Sequence, residues 1–309
     1  MSSALKRLIT KDRKRRQAAS GPHAPSWFES ARAEGDLNGL VRDWLTDEQR
    51  GGVPVNFQRH LEDPATVASI QRDEVPIPAL DDREGYFGKW HLSYWLSGLD
   101  DLRVVESCVP RSALKDVLDF GGASGRFARH VALADSASTV TIAELNVNHV
   151  QWVERHFGPQ VRAVKVSPYP HFPLADRSQS LCVAFSVFTH INAYETGWLA
   201  EIHRVLKDDG YAVLTIHSED TWTVLTTRKN IFASLEKDPT FLPLYQANPT
   251  MPSERLVFDY NPGSIEHNCN VFFSSDYIRR VWGKWFEVVE IRPRAHHDFQ
   301  TVVVLRKRG

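Results

Sequence analysis

From residue 117 onward, short apolar runs alternate with amphipathic stretches. Val117 and Leu118 lead through Asp119 and Phe120 into Gly121-Gly122-Ala123-Ser124-Gly125. Phe127, Val131 and Ala134 then share one helical face, so the segment predicts a strand, a tight turn and a helix. The alternation continues. Residues 139–144 read as a second strand, and Val150, Val153 and Phe157 mark a helix ending at Gly158-Pro159. Residues 161–166 form a third strand. The continuous apolar run 181–188 reads as a buried central one. Trp198, Leu199, Ile202 and Leu206 place a helix before Asp208-Asp209-Gly210, and 211–216 is a fifth strand ending at His217. Residues 286–291 and 299–305 supply the last two strands.

The flanks have a different character. Residues 1–20 carry Lys6, Arg7, Lys11, Arg13, Lys14, Arg15 and Arg16 against the single acid Asp12, a basic tail suited to solvent or to peripheral contact with an anionic membrane face. Residues 21–80 mix short helical patterns with Pro and Gly, and Pro76 and Pro78 impose an extended stretch. Leu92, Trp95, Leu96 and Leu99 share a helical face just before the first core strand. Residues 218–285 form an insertion: a helix over 222–235, a hairpin pairing 255–260 with 270–273, and a helix capped at Ser275-Asp276. The organisation read from the sequence is an N-terminal tail and helical extension over 1–84, then a core domain over 85–309.

Composition narrows the class. A chain of 309 residues with a formal net charge of −1 offers no general nucleic-acid surface. Three cysteines, Cys108, Cys182 and Cys269, fit neither a metal spacing nor a disulfide framework and point to a reducing compartment. No apolar run approaches membrane-spanning length and the N-terminus is polar, so the expectation is a cytoplasmic protein.

The chemistry centres on the glycine turn. It lets a ligand approach the backbone, and the following helix offers free N–H groups. Glu144, about 20–25 residues after the glycines, is positioned to accept bonds from ribose hydroxyls. Asp119, just before the turn, would repel a pyrophosphate, yet suits a cofactor bearing ammonium and sulfonium charge. Together, Asp119, the GxAxG turn and Glu144 resemble the class I S-adenosyl-L-methionine-dependent methyltransferases. The wording SVFTHI…WLAEIHRVLKDDGYAVLTIH over 186–217 is similar to methyltransferases of bacterial sugar and surface-glycan pathways.

The resemblance implies an α/β, Rossmann-like seven-stranded methyltransferase sheet in the order 3-2-1-4-5-7-6. Its last strand is antiparallel, helices cover both faces, and the insertion precedes strand 6. It implies S-adenosyl-L-methionine as cofactor, held by Asp119, Gly121, Gly122, Ala123, Gly125 and Glu144. Ser167 would border the adenine, Ser186 would join from the end of strand 4, and Tyr86 would act as a lid with Trp90 and His91 as weaker candidates. The acceptor implied is a sugar or glycan hydroxyl. A natural-product hydroxyl or amine, and a non-catalytic cofactor-binding partner protein, are the alternatives. His190 and His217, beyond strands 4 and 5, rank together as base candidates. His267, Asn268, His296, His297 and Asp298 gather at insertion and loop positions, and Glu219 and Asp220 follow strand 5. None has the spacing of a known metal motif, so no metal is assigned.

Overall fold

The computed structural model describes residues 63–84, 86–88, 91–260 and 269–309. The basic tail, Gly85, Trp90, His267 and Asn268 lie outside the described residues. The chain divides into two compact units, Met1–Leu96 and Ser97–Gly309.

In the first unit, helix α1 (Pro64–Arg72) begins at Asp63, whose carboxylate accepts from the Ala65 amide at 3.0 Å and the Thr66 hydroxyl at 2.8 Å. The stretch after it is extended, as Pro76 and Pro78 require. Buried Asp73 accepts from Trp95 Nε1 at 2.7 Å, and buried Arg83 donates to His91 Nδ1 at 2.9 Å.

The second unit is built on a seven-stranded sheet ordered β3-β2-β1-β4-β5-β9-β8. Its strands are β1 (Asp116–Phe120), β2 (Thr139–Glu144), β3 (Val161–Lys165), β4 (Gln179–Ala184), β5 (Leu206–Ile216), β8 (Glu287–His296) and β9 (Gln300–Arg306). The first five run parallel and β9 is antiparallel to both neighbours, which is the order the resemblance implies. The carboxyl ends of β1–β5 and β8 therefore share one edge, and β9 begins there. Helix α2 (His91–Cys108) precedes β1; α3 (Ala128–Ala134) follows the glycine turn; α4 (Val147–His156) and α5 (Glu195–Val205) follow β2 and β4. Phe120 packs against Phe172 and Trp198 at 5.0 and 4.6 Å between ring centres, fixing α5 to one face.

Four local expectations shift. Strand β5 starts at Leu206 rather than 211, because the chain pairs with Gln179 before a register break at Leu181. The helix expected over 222–235 is split into α6 (Glu219–Val224), a 3-10 turn and α7 (Lys229–Leu235). Thr223 and Thr227 turn their hydroxyls back onto the carbonyls of Asp220 and Val224, at 2.8 and 2.7 Å, which weakens a continuous helix. The last cap is Ser274, accepting from the Tyr277 amide at 3.1 Å, one residue earlier than read. Ala134 is exposed, so the buried stripe of α3 stops short of it.

The insertion has a core of its own. Strands β6 (Arg255–Asp259) and β7 (Cys269–Phe273) form a separate antiparallel pair, and Trp222, Phe241, Phe258 and Phe272 pack together beside α8 (Phe241–Ala247). Strand β7 also reaches the main sheet's edge: the Val271 amide donates to the Thr189 carbonyl at 2.8 Å and the Phe273 amide to the His217 carbonyl at 2.9 Å.

Buried Glu195, at the start of α5, ties the insertion down. It accepts from Trp282 Nε1 at 2.6 Å, Arg255 Nε at 3.0 Å and the Tyr277 hydroxyl at 3.3 Å. Glu195→Ala strands these donors. It should lower unfolding free energy by about 2–4 kcal/mol, less than for a fully buried pair because Arg255 is partly exposed. Urea unfolding measures this; a loss within about 0.5 kcal/mol would show that the network is marginal.

Candidate functional site

Sharp reversal after β1 makes the first half of the site. The Gly121 amide donates to the Ala143 carbonyl of β2 at 2.8 Å, so the turn begins tied to the neighbouring strand. Gly121 has φ of 73°, and a Cβ there would lie 2.5 Å from Val187 Cγ2 in the segment after β4. Glu144, at the end of β2, holds the turn from the other side. Its Oε2 accepts from the Ala123 amide at 2.9 Å and its Oε1 from the Asn146 amide at 2.8 Å. Burial alone would raise its pKa, but the His149 side chain and the Asn146 and Ala123 amides outweigh it and hold the carboxyl below its ordinary value. A carboxylate offers about four lone-pair directions. Two are used by amides, which leaves Glu144 able to accept from a vicinal diol.

Asp119 lies beneath the turn, 2% exposed, and its Oδ2 has no hydrogen-bond partner among the described residues. A Cβ at Gly122 would collide with this carboxylate. Burial first, then the charge of Asp101 and that of Glu144, push the Asp119 carboxyl up to about 8, against the pull of Arg126. A buried acid with a bare oxygen beside a glycine turn has room to receive a second cation. An ammonium-bearing ligand whose ribose reaches Glu144 supplies one, so these residues fit the cofactor expected from the sequence.

The second half lies beyond β4 and β5 and is completed by β7. His190 Nδ1 donates to the Cys269 carbonyl at 2.7 Å, which leaves Nε2 as the nitrogen with a lone pair. Burial lowers its pKa, opposed by that carbonyl. His217 is 2% exposed, with ring centres of Phe272 and Phe299 at 5.0 and 5.9 Å. Burial and then the nearby His190 push it down to about 3, against an Asn270 side-chain contact. Sequence reasoning ranked the two histidines together; the structure separates them, since only His190 has a fixed tautomer and partial access.

The remaining candidates scatter. Ser167 follows β3, one residue beyond Val166, whose amide donates to the Glu144 carbonyl at 3.0 Å; its hydroxyl accepts from the Tyr169 amide at 3.3 Å. The Ser186 hydroxyl donates to Gln300 Oε1 at 3.0 Å. Tyr86 belongs to the first unit and is 66% exposed. Glu219 accepts from the Ser275 amide at 3.1 Å and so pins a helix start. Sequence reading missed Asp101 of α2, which is fully buried and meets Arg126 Nη1 at 2.9 Å next to the turn. One signal existed: Ser97, Asp101 and Val105 fall on a single helical face, and all three are wholly buried. Helix α2 comes this close because a Cβ at Gly98 would strike the Arg126 carbonyl.

Residues 118–214 match the family model described as a methyltransferase domain. No curated protein sequence matches the chain. Among solved structures it is similar to the methyltransferase complexed with the Trm112 methyltransferase activator of Haloferax volcanii, at 12% identity and a TM-score of 0.49 over 69% of this chain and 91% of that one. It is similar to a SAM-dependent methyltransferase of Methanosarcina mazei, at 16% identity and a TM-score of 0.46 over 66% and 97%. An S-adenosylmethionine-dependent methyltransferase of Listeria monocytogenes gives 11% identity and a TM-score of 0.48 over 68% and 99%. The family match makes residues 118–214 a methyltransferase domain whose cofactor is S-adenosyl-L-methionine, and the sheet has the strand order that the class I resemblance implies. No helix among the described residues is long and apolar enough to cross a membrane.

The Asp119 environment has a pH signature. Its folded value, about 8, exceeds the unfolded 3.8, so the folded state binds the extra proton between them. Its contribution to stability is present at low pH and is lost as pH rises through about 8. The ligand-free wild type should therefore lose stability from pH 6 to about 8.5 relative to Asp119→Asn, which cannot ionise. Thermal unfolding of both proteins across that range tests this; parallel curves would mean that the carboxyl titrates normally.

Proposed function

We propose that this S-adenosyl-L-methionine-dependent methyltransferase methylates a hydroxyl of a sugar or glycan, with His190 as the base. The observation that carries the reading is the 2.7 Å bond from His190 Nδ1 to the Cys269 carbonyl, which presents Nε2 as a proton acceptor at the carboxyl edge of the sheet. A hydroxyl gains from such a base. The sugar class rests on the wording of residues 186–217.

The bound cofactor supplies an electrophilic methyl on a sulfonium. Asp119 faces its ammonium, Glu144 accepts from the ribose hydroxyls, and the turn from Gly121 through Gly122 and Ala123 to Gly125 forms the wall between them. Ser167 borders the adenine. His190 takes the proton from the acceptor hydroxyl. His217, neutral and packed between rings, keeps the acceptor side in shape. The described part of the insertion over 218–285 forms that side.

Glu144→Ala should weaken S-adenosylhomocysteine binding by about 1.5–3 kcal/mol through loss of charge-assisted bonds. Calorimetry measures this, and an unchanged affinity would remove Glu144 from the site. The same titration at pH 7 should release a proton from Asp119, because its value of about 8 falls once an ammonium is beside it. Buffers of different ionisation enthalpy reveal that release, and Asp119→Asn should abolish it.

His190→Ala should retain S-adenosylhomocysteine affinity and slow methyl transfer about a hundredfold to ten-thousandfold. At saturating cofactor the wild-type rate should hold down to the ordinary histidine range and fall only below it, since burial lowers the His190 value. The acceptor class is tested by radiolabelled methyl transfer into fractionated cell extract. Label in the glycan or sugar fraction is expected. Label in small lipophilic products or nucleic acid would overturn the sugar assignment, and cofactor binding without any label would favour a non-catalytic partner.

A further inference from the structure

At the end of β8, a compact cluster joins residues that the mechanism above does not use. Asp101 Oδ1 lies 2.9 Å from His296 Nε2 and 3.8 Å from His297 Nε2, and the three donor atoms all fall within 4.8 Å of one another. Asp101 and His296 are buried, and His297 is partly open. Strand β8 runs parallel to β5, so the cluster sits on the same sheet edge as the glycine turn. Arg126, the residue after Gly125, reaches Asp101 Oδ2 at 2.9 Å.

Three features fit a ligand set better than ordinary packing. First, the donors converge: around an ion with bonds of about 2.0–2.2 Å they lie roughly 3.0–3.6 Å apart, so Asp101 and His296 are already close enough at 2.9 Å and His297, at 3.8 Å, reaches the same centre by a small inward shift. Second, His296 is oriented from behind. Its Nδ1 lies 3.0 Å from Gln300 Oε1, which also accepts from the Ser186 hydroxyl at 3.0 Å. An acceptor at Nδ1 keeps a hydrogen there, so the hydrogen between Nε2 and Asp101 is the one that an ion can displace. Arg126 likewise takes the far oxygen of Asp101 and leaves Oδ1 to the cluster. Third, the backbone is strained where His297 is presented. His297 and Asp298 have φ of 51° and 61° in the tight turn between β8 and β9, and the Phe299 amide closes onto the His296 carbonyl at 3.2 Å. Turns of this hand favour Asn-Gly or similar pairs. An imidazole held there is strained, and such strain gathers at ligand sites.

We infer that Asp101, His296 and His297 form a site for a divalent first-row transition-metal ion, beside the glycine turn. Two imidazoles and one carboxylate form the borderline donor set that suits zinc, manganese or iron(II). The ion replaces the hydrogen shared between Nε2 of His296 and Asp101, which leaves as a proton. Three protein donors leave a coordination position open for water or an acceptor oxygen. That use rests on the methyl-acceptor reading above, whereas ion binding is read without turnover and stands or fails separately.

The test uses the full chain, cleared of metal by chelation and titrated with zinc chloride in a calorimeter and with cobalt(II) in a spectrophotometer. One ion per chain is expected, with visible d–d absorption for cobalt and a rise in melting temperature. His297→Asn keeps a side chain that tolerates the left-handed turn while removing an imidazole donor. It should weaken binding about a hundredfold or more and leave S-adenosylhomocysteine affinity intact. Imidazole nitrogen chemical shifts of the wild type give a readout that needs no variant: zinc should move the His296 and His297 signals. No stoichiometric ion, an isotherm unchanged by His297→Asn, or shifts confined to other histidines would overturn the site.

Discussion

Everything around the glycine turn depends on one backbone reversal, the turn leaving β1. Gly121 can turn because it lacks a Cβ, and Val187 occupies the space that a Cβ would need. Ala123 holds a left-handed φ of 47° because Glu144 takes its amide from across the β1–β2 pair. With the turn clamped in this way, Asp119 has nowhere to go but beneath it, away from water. Its raised pKa is a consequence of that packing, and so is its capacity to receive a cation.

The region beyond β4 and β5 depends on an element from far along the chain. Strand β7 bonds to Thr189 and His217 through its backbone, and its Cys269 carbonyl fixes the ring of His190. An imidazole at a strand end is otherwise free to rotate, and its lone pair then has no fixed direction. The hairpin therefore turns a loop histidine into an oriented group. The aromatic cluster of Trp222, Phe241, Phe258 and Phe272 makes the hairpin rigid enough to do so, and Glu195 anchors it through Trp282, Tyr277 and Arg255. Removing any of these weakens the support of the His190 ring.

The turn region also meets an electrostatic problem. Asp101, Asp119 and Glu144 bring three carboxylates to one edge, with Arg126 as the nearby cation. Glu144 solves it with amides and His149, Asp101 with Arg126 and His296, and Asp119 by holding its proton. Two of the acids thus stay ionised and the third keeps its proton within one small region, set by how their neighbours replace water.

What was legible in the sequence was local. Apolar runs, Gly-rich punctuation and an acid after β2 follow from backbone sterics and short-range periodicity, so strand, turn and helix could be read from residues close together in the chain. The sheet order needed the family resemblance, because periodicity does not say which strands are neighbours. His190 and His217 could be placed at strand ends but not ranked, since their difference lies in the Cys269 carbonyl and the rings of Phe272 and Phe299. Asp101 was invisible as a site residue for the same reason: its partners Arg126, His296 and His297 are up to nearly two hundred positions away. By itself the sequence determined which segments bend and which stay straight. Only the tertiary structure decided which buried charges would meet, because burial and hydrogen-bond partners belong to the packed chain and not to any stretch of it.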